Sequence, residues 1–177
     1  MPTYTEYSHQ WYMDLCYNVA QMSHDPRTQN GAILLCEDGE FVGGLNDLPK
    51  DVETKPTRLE SPEKYYWIEH AERGALYFAV SQGMDVRGST LYCPWAACAD
   101  CGRAIAMMGV STLIRHKQAM NRVMDAHAHD QWAHSIEVGD EIMRARGVDI
   151  IELDYVSESV IDLGVRFNRE IWHPQNP

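Results

Sequence analysis

His70-Ala71-Glu72 and, beginning 28 residues after His70, Cys98-Ala99-Asp100-Cys101 are the residues of this chain whose types and spacing can do chemistry. One histidine and two cysteines supply three ligands for a zinc ion. Three protein ligands leave a fourth position for water, which is the arrangement of catalytic rather than structural zinc. Glu72 places a carboxylate beside that water. The order H-x-E, then C-x-x-C, suits hydrolytic removal of an amino group from a nucleobase. The metal acidifies water, and one carboxylate carries its proton to the ring and on to departing ammonia. Two other readings use the same residues. One is a closed zinc knuckle with Cys93 as fourth ligand, which leaves Glu72 without a purpose. The other is a set of buried, inert cysteines with no metal.

The elements around these residues have to bring them together. Cys98 and Cys101 are three apart and share a helical face in the first turn of a helix. The positive end of the helix dipole favours metal-binding thiolates there. His70 stands at the entrance of the preceding helix, where residues two apart can border one site. The periodicity predicts a first helix over 6–22, with Trp11, Tyr12, Leu15, Val19 and Met22 on one face. A hairpin follows, Gly31–Cys36 and Phe41–Leu45, turning at Asp38-Gly39. Residues 46–64 have three prolines and no period, so they are read as a long functional connection. Then come a helix from His70 to Gly83, a strand Ser89–Trp95, and a helix Cys98–Met108 stopped by Gly109. A strand Thr112–His116, an irregular stretch 117–130, a helix Gln131–Arg146, a strand Val148–Tyr155 and a final helix Ser157–Ile171 complete the chain. A helix between the fourth and fifth strands makes those two strands parallel. The expected fold is α/β: a three-layer α/β/α arrangement on a five-stranded mixed sheet, with residues 1–177 as one domain.

Composition narrows the partners. The net charge of −11, from 26 acidic against 15 basic side chains, argues against a long nucleic acid, which needs a clustered basic surface. A mononucleotide needs only one or two local cations. No run approaches the roughly 18 apolar residues of a membrane helix, and Met1–Gln10 has no apolar centre, so a cytoplasmic location is expected. The five cysteines are an odd number at uneven spacing, which fits thiols or metal ligands better than disulfides.

Beyond the metal motif, Glu69-His70-Ala71-Glu72, Ser23-His24-Asp25-Pro26-Arg27-Thr28-Gln29-Asn30-Gly31-Ala32 and Thr90-Leu91-Tyr92 carry a resemblance. They are similar to the histidine-type zinc motif, the S-K-D-P-x-[ST]-Q-V-G-A run and the T-[LM]-Y strand of the zinc-dependent cytidine deaminase superfamily, in its deoxycytidylate deaminase branch. The resemblance spans about residues 10 to 155. It implies a cytidine-deaminase-like fold, one catalytic Zn2+, and conversion of dCMP and water to dUMP and ammonia, supplying thymidylate synthesis. It implies that Asn46 bonds the sugar hydroxyl, the Ala71 N–H meets the pyrimidine O2, the Ala96 carbonyl accepts from the exocyclic amine, and Trp95 packs against the base. It also implies a homo-oligomer, a hexamer or a dimer. The other readings kept open are deamination of tRNA adenosine, guanine or dCTP, and a non-catalytic zinc-stabilised nucleotide-binding protein.

The chain departs from the family in places. Ala97 replaces the proline before the first cysteine, Arg73-Gly74 the usual L-N, and Asn30 a valine. Gly44-Leu45-Asn46-Asp47 stands where relatives have G-Y-N-G at an effector site, so regulation by dCTP and dTTP is not carried over. Mg2+ would enter only in company with a nucleoside-triphosphate effector. Candidates for the 5′-phosphate are Arg27, Lys50, Lys55, Arg58, Lys64, Arg115 and Lys117, with Arg73 as a solvated helix charge. His116, His127, His129 and His134 match no ligand spacing and are expected in loops or on helix surfaces.

Overall fold

The computed structural model describes residues 8–127 and 130–176. Strand β1 (Gly31–Leu35) and β2 (Phe41–Leu45) form the expected hairpin. Gly39 takes a positive φ of 89° at the turn, a conformation open to glycine without Cβ strain. Before them lies α1 (His9–Ala20), whose first turn is capped by the Ser8 hydroxyl. Its buried stripe is Tyr12, Met13, Cys16, Tyr17 and Ala20. That stripe is rotated from the predicted face, and Met22 is exposed. The 46–64 connection contains the single turn α2 (Pro56–Leu59) and runs up to a second single turn, α3 (Lys64–Trp67). The order continues α4 (Ala71–Ser81), β3 (Thr90–Cys93), α5 (Ala99–Met108), β4 (Thr112–His116), α6 (Lys117–Ala126), α7 (Gln131–Ala145) and β5 (Asp149–Leu153).

The five strands lie in the order β2-β1-β3-β4-β5. The β1–β2 and β1–β3 pairs are antiparallel. The β3–β4 and β4–β5 pairs are parallel, as a crossover helix between each pair requires. Side chains alternate across the sheet. Ala32, Leu34, Leu91 and Leu113 enter one core with α4 and α5. Ile33, Tyr92 and Ile114 enter the other, with α1 and α6. The result is the expected three layers, α/β/α. No helix among the described residues is long and apolar enough to cross a membrane.

Two stretches differ from the reading of the sequence. Residues 117–130 are not irregular throughout, because α6 occupies Lys117–Ala126 and buries Ala119, Met120 and Val123. Nor is Ser157–Ile171 one helix. A short α8 (Glu158–Leu163) stops at Gly164, with φ of 63°. A second, two-stranded sheet then forms from β6 (Val165–Phe167) and β7 (Glu170–Trp172). Its two-residue turn has Asn168 and Arg169 both at positive φ, 51° and 75°, as a tight hairpin of this length demands.

Backbone contact fixes where the helices start. A Cβ on Gly44 in β2 would lie 2.3 Å from both the Ala71 carbonyl oxygen and the Ala75 nitrogen. The first turn of α4 therefore rests directly on β2. Gly44→Ala should destabilise the fold by about 1–3 kcal/mol through overpacking. A lowered urea midpoint with unchanged slope would report this, and an unchanged midpoint would refute the contact.

Candidate active site

His70 is the N-cap of α4 and Cys98 the N-cap of α5, and neither side chain caps its own helix. Both are left free to face one another. Other residues take over the capping work. Ser135 of α7 accepts the Ala99 N–H at 3.1 Å. Glu69 accepts the His70 N–H at 2.8 Å and the Arg73 Nε at 2.7 Å. Arg73 also lies 3.7 Å from Asp100, so it ties the entrance of α4 to that of α5 instead of standing as a solvated charge. Further support comes from α7. A Cβ on Gly102 would sit 2.8 Å from the Gly139 Cα, and one on Gly139 would sit 3.0 Å from the Ala97 and Cys98 carbonyl oxygens.

These elements bring three donors into a triangle. His70 Nδ1 lies 3.5 Å from Cys98 Sγ and 3.4 Å from Cys101 Sγ, and the two sulfurs are 3.6 Å apart. Bonds of about 2.0–2.3 Å to a tetrahedral zinc separate its ligands by about 3.3–3.8 Å, so the donor spacing fits that ion. Among the described residues, this is the group of histidine, cysteine and acidic side chains close enough to hold a metal. The Cys98 thiol is held down to about 3, first by its hydrogen bond with Cys101 and also by His70, against the effect of burial. The same shared hydrogen bond, with burial, pushes Cys101 up. The pair releases a first proton readily, and a cation is what would draw off the second.

Glu72 is 2% exposed, in the first turn of α4, and its Oε2 has no hydrogen-bond partner among the described residues. Burial raises its pKa, opposed by His70. A buried carboxylate oxygen without a partner is costly, and here it stands beside a metal-type triangle to which it does not belong. Cys93 is also outside the triangle. Its Sγ lies against the Asn30 side chain at 3.3 Å, and burial pushes its thiol up. The four-ligand knuckle is therefore not assembled.

The remaining predicted residues are placed as follows. Ala71 is the first residue of α4 and fully buried, and Ala96 is half-buried between β3 and α5. Asn46 is buried, and its amide is largely engaged. Nδ2 donates to Asp25 Oδ2 at 3.2 Å and to the Thr28 carbonyl at 2.7 Å, while Oδ1 accepts the Asn30 N–H at 2.6 Å. Trp95 donates from Nε1 to the Gln29 carbonyl at 2.9 Å. Its ring stacks on Phe167, with centroids 5.0 Å apart, and meets Trp172 at 5.4 Å. These hairpin aromatics were not singled out in the sequence. The available signal was Val-Arg-Phe and Glu-Ile-Trp flanking Asn168-Arg169.

The Ser23–Ala32 run is organised by Asp25. It accepts from the Arg27 and Thr28 N–H groups at 2.8 and 3.3 Å, and from Lys64 Nζ at 2.6 Å. The Lys64 and Asp25 side chains are only 10% and 3% exposed. Lys64→Met leaves Asp25 charged and buried, so a loss of about 3–5 kcal/mol is expected. Denaturant unfolding checks this, and a loss below 1 kcal/mol would contradict the buried pair. Arg115 is likewise engaged, by Asp140 and Glu152 at 2.9 Å each. Lys117 pairs with Asp154 and Lys55 with Glu53. Arg58 donates to the Glu53 carbonyl and covers Trp67, and Arg27 reaches Asn168. Lys50 is exposed.

His116 corrects another expectation. It lies in no loop, but is fully buried at the end of β4, with Nδ1 2.6 Å from the Tyr17 hydroxyl. Burial lowers its pKa to about 4. His127 meets Asp130 at 2.7 Å, His134 is exposed, and His129 lies outside the described residues.

An α/β/α fold with a histidine–cysteine–cysteine triangle at two helix entrances and a buried glutamate beside it defines the zinc-dependent deaminase class of hydrolases. Residues 6–117 match the model of the cytidine and deoxycytidylate deaminase zinc-binding region, and the chain belongs to that family. It is 30% identical to human deoxycytidylate deaminase over 114 residues, covering 59% of this chain and 62% of the human protein. The chain thus matches less than two thirds of that relative's length. An uncharacterized deaminase of Aliivibrio fischeri is 26% identical over 132 residues, 75% of this chain and 84% of that one. In fold, the chain is similar to the dCMP deaminase of cyanophage S-TIM5 in complex with dCMP and dUMP. There the TM-score is 0.61, with 24% identity over 80% of this chain and 93% of that one. A guanine deaminase from Nitrosomonas europaea gives a TM-score of 0.55 at 15% identity, covering 82% and 76%.

Proposed function

We propose that this chain converts dCMP and water to dUMP and ammonia, a step that supplies dUMP for thymidylate synthesis. The observation that carries the proposal is the unpartnered, buried Glu72 oxygen beside the 3.4–3.6 Å donor triangle. Relatives named for deoxycytidylate deamination support the choice of substrate.

In this reading His70, through Nδ1, and the Cys98 and Cys101 thiolates hold Zn2+. When bound, that ion lowers the pKa of water from 15.7 to about 7 and so supplies a nucleophile at neutral pH. Glu72 does the proton work. Its carboxylate accepts the proton released as water attacks C4, delivers it to N3, and then assists ammonia as the C4–N bond breaks. A pKa raised by burial suits a group that must hold the proton between the two transfers. The Ala71 N–H meets the pyrimidine O2, the Ala96 carbonyl accepts from the exocyclic amine, and Trp95 forms the apolar wall of the base site. Asn46 is left with one free acceptor position on Oδ1, so its role toward a sugar hydroxyl is that of acceptor.

The test is to incubate zinc-loaded protein with dCMP, dCTP, cytidine and guanine, following ammonia and ultraviolet absorbance. Ammonia from dCMP is expected. Release from guanine or dCTP but not dCMP would move the activity to another base or nucleotide. No release from any of them, with zinc bound, would sink the reading.

A further inference from the structure

Arg122 is the feature that the proposed chemistry leaves unexplained. It sits on α6, and its guanidinium carbon lies 5.1 Å from the centroid of the Phe167 ring and 5.6 Å from that of Trp172. Its Nε is buried without a hydrogen-bond partner among the described residues. Arg122 lines a cavity of about 640 Å³ between α6 and the β6–β7 hairpin, with Asn121, Asp125, Asn168 and Glu170 on the walls. No ion pair joins Arg122 to either of those carboxylates among the described residues. A guanidinium lying on aromatic faces keeps its N–H donors in the ring plane free, and that planar fork matches the oxygens of a phosphate. A second orphan stands nearby. The buried His116 Nε2 also lacks a partner among the described residues, and its ring is 6.4 Å from that of Trp172.

The aromatic layer under Arg122 is the one that Trp95 joins, through Phe167 and Trp172. The two rim carboxylates, Asp125 and Glu170, disfavour a ligand carrying several charges. We propose that this cavity binds the phosphate of a nucleoside monophosphate, with Arg122 as its cationic partner. The phosphate has two sources. It belongs either to the substrate whose base lies against Trp95, which rests on the dCMP reading above, or to a separate nucleoside monophosphate.

The experiment uses the full zinc-loaded chain, with Arg122→Gln and Arg122→Lys beside the wild type. Binding of inorganic phosphate, dUMP and deoxyuridine is followed by calorimetry and by tryptophan fluorescence, since the Trp172 ring lies under Arg122. Arg122→Gln should weaken dUMP and phosphate about tenfold or more and leave deoxyuridine unchanged. Arg122→Lys should retain part of the affinity, and it decides the matter if the glutamine variant does not fold. A KM for dCMP raised about tenfold, with deoxycytidine turnover unaltered, assigns the phosphate to the substrate. An unchanged KM with lost phosphate binding assigns it to a separate nucleotide. Phosphate and dUMP binding equal to wild type in both variants overturns the site. Arg122-dependent binding without any dCMP turnover would sink the deamination reading and leave this site standing. Turnover with Arg122-independent binding would do the reverse.

Discussion

Glu72→Gln is expected to keep its zinc and lose about three orders of magnitude in turnover. The substitution preserves size and shape but removes the carboxylate assigned to take up and return the proton. Little structure should be lost with it, because Glu72 Oε2 has no hydrogen-bond partner among the described residues to forfeit. Glutamine also carries no charge to desolvate in a position that is 2% exposed, so the unfolding midpoint should hold or rise. Steady-state ammonia release and metal analysis on the same preparation check both halves. Turnover near wild type would remove Glu72 from the mechanism. Loss of zinc would make it a ligand, against its position outside the donor triangle.

Cys98→Ala or Cys101→Ala should release the metal and lower stability together. Each deletes one corner of a triangle whose edges are 3.4–3.6 Å, and two remaining donors do not retain zinc against competition. With zinc at about 100–1,000 times its Kd, losing it removes about 3–4 kcal/mol of stabilisation. For a chain of this size the melting midpoint then falls by about 10 °C. Wild-type protein treated with a chelator should drop to a similar midpoint, while the variants should not respond to chelator at all. A Cys98→Ala protein that retains one zinc per chain would contradict the ligand assignment.

The donor triangle was legible in the sequence because its parts are local. Each of its donors sits at a helix entrance, and H-x-E and C-x-x-C are short enough to be read without knowing the fold. The parallel pairing of β4 and β5 was legible too, since a helix between two strands leaves little topological choice. Helix α6 was not, because its apolar stripe is only Ala119, Met120 and Val123 in a polar background. The terminal hairpin was hidden for another reason. Its turn needs Arg169 at a positive φ, which arginine does not advertise. The aromatic layer of Trp95, Phe167 and Trp172 joins positions that no local period connects. Asp25 and Lys64 are 39 residues apart, and two charges at that separation read as surface until the fold buries them.

The seam where Gly102 meets Gly139 makes helix α7 a support of the donor triangle, although none of the three donors lies on it. Ser135 and Gly139 are four apart and form one stripe, the first holding the Ala99 N–H and the second pressed on the Cys98 carbonyl. A saturation library over α7, sorted on zinc retention alone, would therefore map this stripe as intolerant and leave the opposite face free. Engineers reshaping this enzyme have that outer face to rewrite, while the inner one is inherited along with the cysteines.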